Sequence, residues 1–98
     1  MKRIGILGGM GPLASIDLYT KITELTKASK DQDNIPIIID SYPQVPDRTA
    51  HILHNGADPF PFLKEGTMRL KTAGCEAICI ACNTAHYYAD RLEKECDI

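Results

Sequence analysis

The residues best placed for chemistry lie in segment 81–86, Ala-Cys-Asn-Thr-Ala-His, directly after the apolar run 77–81. The apolar run predicts a buried strand, and ligands of parallel α/β sheets collect at the carboxyl ends of strands. Asn83 or Thr84 can cap a following helix, whose N-terminus lowers the pKa of a nearby thiol. Since the thiolate is the reactive form, Cys82 is a candidate catalytic residue. The alternative is that Cys82 is a small apolar residue at a strand end.

The elements predicted around this segment alternate between strands and helices. Strands are predicted at 2–7, 35–40 and 75–81. Helices are predicted from Pro12 to about Lys27, over 48–54, over about 59–72, and after Cys82 through Cys96. This alternation implies right-handed crossovers. We therefore expect an α/β fold, with three α/β/α layers and a parallel sheet of strand order 2-1-3.

Composition limits the partners of the chain. The 98 residues carry a formal net charge of -2 and contain no basic block that would neutralise phosphates. We therefore expect no nucleic-acid partner. The N-terminal apolar run stops at Leu7, which is too short for a signal peptide or a membrane helix. The sequence thus predicts one small cytoplasmic domain with no membrane partner.

Four cysteines, at positions 75, 79, 82 and 96, raise the alternatives of a disulfide or a metal site. Cys79 and Cys82 are three residues apart, so on a strand they would point to opposite faces, roughly 10 Å apart, beyond disulfide reach. We expect Cys79 in the core, and Cys75 and Cys96 in structural roles.

The histidines offer two further alternatives. His51 and His54 share one helical face, but a third metal ligand is not evident, so we predict no metal. His86 follows Cys82 by four residues and could form a Cys-His pair for acyl transfer. Helix geometry places the imidazole a turn beyond the thiol, which favours packing or support of the helix start.

The chain stops at 96–98, where an α/β protein would normally turn into another strand. No predicted element covers the outer edge of the third strand. We therefore expect a truncated polypeptide, the alternative being a complete small domain with a frayed C-terminus.

Three motifs together resemble the aspartate/glutamate racemase superfamily. They are Gly-Gly-Met-Gly-Pro-Leu-Ala at 8–14, Pro-Asp-Arg-Thr at 46–49 and Ala-Cys-Asn-Thr-Ala-His at 81–86. Each follows one of the predicted strands. The first is similar to the aspartate racemase branch, including broad-specificity amino-acid racemases, whereas glutamate racemases typically open with an Asp-Ser-Gly segment that this chain lacks.

This resemblance implies a racemase that needs no cofactor and holds an amino acid, such as aspartate or glutamate, between two similar α/β lobes. Residues 1–98 would form the N-terminal lobe, with the second lobe absent from this chain and a homo-oligomeric parent protein. Inversion at Cα needs a base on one face and an acid on the other. Cys82 would be one of the two. Its partner in the family lies in a Gly-Cys-Thr-Glu type of motif, which these residues do not contain.

The resemblance also assigns the substrate-binding residues. Arg48 would grip a carboxylate, because a guanidinium matches it bidentately. Asn83 and Thr84 would bind the α-carboxylate at the helix start. Met10 would line the cleft from the glycine loop. The structural alternatives are a solvated loop charge for Arg48, helix caps for Asn83 and Thr84, and a packing residue for Met10.

Two other functions compete with racemisation. Residues 9–14 also fit the dinucleotide fingerprint Gly-x-Gly-x-x-Ala, and Asp40 ends the second strand. However, Asp40 lies 29 residues after Gly11, against the ~20 expected, and Pro12 removes an amide donor from the helix start. The second competitor is a non-catalytic fragment that pairs with another chain through its sheet edge. The substrate is left open by the sequence.

Overall fold

The computed structural model describes residues 2–98, which form a parallel sheet with the strand order β2-β1-β3. The strands are β1 Ile4–Gly8, β2 Ile37–Ser41 and β3 Ala77–Ile80. In the middle, β1 pairs in parallel with both neighbours. The predicted order 2-1-3 is confirmed. β1 and β2 begin two residues later than predicted, because the apolar pattern does not mark where pairing begins, whereas β3 begins at Ala77, the first residue of the apolar run.

Four α-helices connect and follow the strands. They are α1 Pro12–Thr26, α2 Arg48–His54, α3 Phe60–Thr72 and α4 Ala89–Cys96, with short 3₁₀ helices at Asp31–Asp33 and Thr84–Tyr88. The bounds of α2 match the prediction because both ends carry local signals. The Asp47 carboxylate accepts hydrogen bonds from the first-turn amides, and Asn55 adopts the left-handed conformation at the C-terminus. No helix within residues 2–98 is long and apolar enough to cross a membrane.

Side chains alternate along β1 and separate the two faces of the sheet. A Cβ on Gly5 would touch Leu70, and a Cβ on Gly66 would touch Leu7, so this face packs against α3. Gly8 faces Ser15 of α1 on the other side. The confirmed fold therefore has α1 in one layer and α3 with α4 in the other. Most of the buried core lies on the α3 side and includes Leu7, Leu63, Leu70, Tyr88 and Leu92.

The apolar stripe of α1 lies largely in solvent. Leu13 is 79% exposed and Leu25 is 78% exposed, and Ile16 is also exposed. Ser15 is the only buried residue of this helix. The reason is that α1 packs alone on its face, where a sheet of three strands covers only the helix surface turned directly toward it.

The cysteines only partly follow the prediction. Cys75 and Cys96 are buried, in agreement with structural roles, and all four thiols are free. Cys79 is half-buried, so the expectation that it lies in the core is wrong. It stands opposite Ile6 on the outer strand β3. Its side chain therefore shares the thinly covered face that α1 occupies.

The turn from β1 into α1 depends on two glycines. The Gly9 amide donates a 2.9 Å hydrogen bond to the buried Ser15 hydroxyl, and Gly9 has a φ of 91°. A Cβ on Gly9 would overlap the backbone of Tyr42, and a Cβ on Gly8 would overlap the Ser15 side chain. The ends of β1, α1 and β2 approach each other this closely only because these side chains are missing.

A substitution of Gly8 tests this close approach. Gly8→Ala should lower the free energy of unfolding by about 1 to 3 kcal/mol, since the new methyl group must displace Ser15. The measurement is urea denaturation followed by circular dichroism. Gly11→Ala is the matched control, because its Cβ would meet no atom within 4 Å. Equal unfolding midpoints for the two variants would contradict the steric account.

Candidate active site

Three chain segments meet at the carboxyl edge of the sheet. The Tyr42 amide donates to the Gly8 carbonyl over 3.0 Å, and the Ala81 amide donates to the Leu7 carbonyl over 2.9 Å. Strand pairing thus continues to the point where the polar segments begin. As a result, the glycine loop, the loop before α2 and the segment after β3 emerge side by side, as the sequence predicts.

Cys82 is half-buried at this edge and has three stabilising neighbours. Its Sγ lies 3.3 Å from the Thr84 hydroxyl oxygen, and either group can donate. The Ala85 amide also donates to the sulfur, and the Arg48 guanidinium supplies a nearby positive charge. The thiol is therefore reachable from solvent yet surrounded by groups that favour its anion.

The pKa of Cys82 reflects a competition between these neighbours and burial. Burial raises the pKa of the thiol, because it disfavours the charged form. The hydrogen bonds from Thr84 and Ala85, together with the charge of Arg48, outweigh it and leave the pKa below its ordinary value. By contrast, burial raises the pKa of the Cys75 and Cys96 thiols. Cys82 is therefore the one of these three thiols that the surroundings shift toward the reactive form.

Arg48 stands at the first position of α2 with part of its guanidinium uncommitted. Its Nη1 donates to the carbonyls of Val45 and Pro46, both over a long 3.4 Å. Its Nε is buried and finds no hydrogen-bond partner among residues 2–98. A buried donor without an acceptor is unfavourable. Since almost none of its surface meets solvent, a carboxylate could reach Nε only after the Arg48 side chain shifts.

Asn83 and Thr84 are exposed beside the thiol, and Asn83 occupies the N-cap position of the helix that follows. The side chain of Asn83 makes no capping hydrogen bond, and a 3₁₀ helix of five residues precedes α4. The Thr84 hydroxyl lies against Cys82 Sγ. Thr84 is the first residue inside the 3₁₀ helix, so its hydroxyl is not at the capping position.

Met10 lies at the boundary between the core and the site. It is 7% exposed and belongs to the same buried cluster as Val45 and Ala85. It also lines an open depression with Cys82 and Asn83. Met10 therefore packs in the core and also borders this depression beside the thiol.

His86 supports the backbone of the segment that carries Cys82 instead of contacting the thiol. Its Nδ1 lies 2.8 Å from the Cys82 carbonyl oxygen. This agrees with the expected support of the helix start and disfavours a Cys-His pair.

A second contact near the site is one that local sequence patterns do not indicate. His51 Nδ1 lies 2.7 Å from the Tyr88 hydroxyl. The two residues are 37 positions apart, so no local pattern could have indicated the pair.

Metal and dinucleotide binding gain no support from the structure. Within the part of the chain that is described, no group of three or more His, Cys, Asp or Glu side chains could hold a metal ion. Both carboxylate oxygens of Asp40 bond to the Arg69 guanidinium, at 2.8 and 3.3 Å. Asp40 is thus already engaged with α3 and does not stand free for a ribose.

These features define an α/β protein with an anion-stabilised thiol at the carboxyl edge of its sheet. Residues 7–98 match the family model described as Asp/Glu/Hydantoin racemase. The chain belongs to this family.

Individual relatives agree with the family match. The broad specificity amino-acid racemase RacX of Bacillus subtilis is 30% identical over 95 residues, which are 93% of this chain and 41% of RacX. Picrophilus torridus aspartate racemase superposes with a TM-score of 0.85 at 36% identity, covering 92% of this chain and 39% of that one. An aspartate racemase homologue from Pyrococcus horikoshii superposes with a TM-score of 0.78 at 28% identity, covering 97% of this chain and 42% of that one. The chain thus spans about two fifths of the length of these relatives.

Thiol reactivity tests the electrostatics of the site. At pH 7, iodoacetamide should alkylate Cys82 faster than Cys79, which is also half-buried. Arg48→Gln removes the positive charge, so the pKa of Cys82 should rise, and the pH midpoint of its alkylation should move up by about 0.5 to 1 unit. Mass spectrometry of the labelled peptides gives both rates.

Lys21→Gln is the charge-matched control, because Lys21 is exposed on α1 and pairs with Asp17 at 2.7 Å. It should leave the midpoint where it is. An equal shift in the two variants would mean that Arg48 acts through net charge only, against the proposed local contact.

Proposed function

We propose that this chain supplies one half of the active site of a cofactor-independent amino-acid racemase, with Cys82 as the acid/base group on one face of the substrate Cα. The observation that carries the proposal is the thiol itself. It lies half-buried at the carboxyl edge of the sheet, where Thr84, Ala85 and Arg48 stabilise its anion. The family match and relatives named as racemases support this function.

The reaction needs a group that is active in both protonation states. As a thiolate, Cys82 would accept the Cα proton, and the electron pair left on carbon would delocalise into the α-carboxylate. An acid on the opposite face would then protonate Cα and complete the inversion. In the reverse direction Cys82 would be the thiol that donates. The Thr84 hydroxyl suits both states, since it can donate to the thiolate or accept from the thiol.

Substrate carboxylates would be held by the polar groups around the thiol. Arg48 donates from Nη1 to the Val45 and Pro46 carbonyls over a long 3.4 Å, so a carboxylate that replaced these weak contacts would form a stronger, charge-assisted pair. Asn83 and Thr84 stand exposed beside Cys82 and would bind the α-carboxylate, where negative charge grows in the transition state. Met10 would close the floor of the depression.

The remaining parts of the proposal rest on the family resemblance. The second acid/base would be a cysteine in the second lobe, and the working protein would be a homo-oligomer. Aspartate, glutamate or a similar amino acid would be the substrate. This choice of substrate is supported by the names of two relatives, aspartate racemase and broad specificity amino-acid racemase.

Replacing the thiol tests the proposed role. Cys82→Ser, made in the protein as its gene encodes it, should lower racemisation by on the order of 10²-fold or more, because a hydroxyl is a much weaker base than a thiolate. Chiral chromatography of L-aspartate converted to the D enantiomer measures the rate.

Cys79→Ser is the matched control, since it makes the same atomic change at a half-buried cysteine of β3. It should keep the activity and alter stability instead. If Cys82→Ser racemised aspartate at the unmodified rate while folded by circular dichroism, the assignment of Cys82 would be wrong.

A further inference from the structure

A hydrogen bond between two distant residues joins α2 to the segment that follows the thiol. His51 Nδ1 lies 2.7 Å from the Tyr88 hydroxyl, and the two rings stack with their centroids 5.8 Å apart. Tyr88 is 5% exposed and belongs to the core cluster, while His51 is half-buried. We refer to this pair as the His51–Tyr88 clasp.

The surroundings of the clasp favour a hydrogen bond from Tyr88 to His51. Burial, together with the negative charge of Asp58, raises the pKa of Tyr88, so the phenol keeps its proton. The other ring nitrogen, His51 Nε2, lies 3.7 Å from an Asp58 carboxylate oxygen. With the imidazole proton on the side of Asp58, Nδ1 accepts the hydrogen bond that Tyr88 donates.

The position of the clasp links it to the site. His51 follows Arg48 by three residues, which is about one helical turn along α2. Tyr88 ends the 3₁₀ helix that begins with Thr84, the hydroxyl partner of Cys82. The clasp therefore connects the element that carries the guanidinium to the element that carries the partners of the thiol.

Helix α2 has few other anchors. It is seven residues long and none of its residues is fully buried. A helix this short gains little stability from its own hydrogen bonds, so its placement depends on the contacts it makes with the rest of the fold. Ile52 packs against the core, and the clasp adds the directional contact.

We propose that the His51–Tyr88 clasp is a positioning element that fixes α2 against the segment after β3 and thereby holds Arg48 beside Cys82. The placement of α2 and Arg48 by the clasp is a property of the protein without substrate. Its consequence for substrate binding rests on the proposed function, because it requires that Arg48 binds a carboxylate. His51 and Tyr88 act only through Arg48 and Cys82, so both are positioning residues.

The test is the pH dependence of Cys82 alkylation by iodoacetamide, measured without substrate. Tyr88→Phe removes the hydroxyl and keeps the ring in the core. Loss of the clasp should let Arg48 move away from the thiolate. The pH midpoint of Cys82 alkylation should then rise by about 0.5 unit. Tyr87→Phe is the matched control, since the neighbouring Tyr87 is 69% exposed. It should leave the midpoint unchanged.

A double-mutant cycle separates positioning from general loosening of the fold. In an Arg48→Gln background, Tyr88→Phe should cause no further shift, because the charge that the clasp positions is gone. His51→Ala removes the other partner at a half-buried position and should reproduce the effect of Tyr88→Phe.

Two results would overturn the proposal. One is a midpoint for Tyr88→Phe and His51→Ala equal to that of Tyr87→Phe. The other is a shift that is as large without Arg48 as with it. Because these measurements use no substrate, they are independent of the racemisation assay. Normal clasp behaviour in a protein that racemises neither aspartate, glutamate nor similar amino acids would refute the proposed function and leave the positioning role intact.

Discussion

The central strand β1 is the constraint on which the rest of the structure depends. It pairs in parallel with β2 and β3, so the chain must leave all three strands at one edge of the sheet. That edge is where the glycine loop, Arg48 and Cys82 come together. The approach is close because Gly8 and Gly9 carry no side chains, and Ser15 fills the space that a Cβ would need. The site is therefore a product of backbone geometry first and of side-chain chemistry second.

The chemistry at this edge is a balance of opposing electrostatic effects. Partial burial of Cys82 disfavours a thiolate, yet it also removes water that would weaken nearby charges and dipoles. Thr84, the Ala85 amide and Arg48 then tip the balance toward the anion. The same arginine donates to two backbone carbonyls over long distances of 3.4 Å, so it retains hydrogen-bonding capacity for a ligand. Such an arrangement suits proton transfer beside a bound carboxylate.

Local signals made much of the fold predictable. The isoleucines of β2 and the capping residues Asp47 and Asn55 act within a few positions, so the second strand and α2 were foreseen. Features that depend on contacts between distant residues cannot be predicted from such local signals. The 3₁₀ helix at Thr84–Tyr88 and the exposed stripe of α1 depend on what packs, or does not pack, against them. For the site, the motifs indicated where Cys82 and Arg48 would lie, but the sequence contained no trace of the contact between His51 and Tyr88.

The most direct test of the central claim follows solvent deuterium into the Cα position of L-aspartate and D-aspartate separately. If Cys82 serves one face of the substrate, Cys82→Ser should affect the two enantiomers unequally, because only one of them presents its Cα proton to this residue. In the Cys82→Ser variant, deuterium entry at Cα should be lost for one enantiomer and persist for the other. Equal rates for both enantiomers in the variant would contradict a one-face acid/base role and point to a structural function for this cysteine.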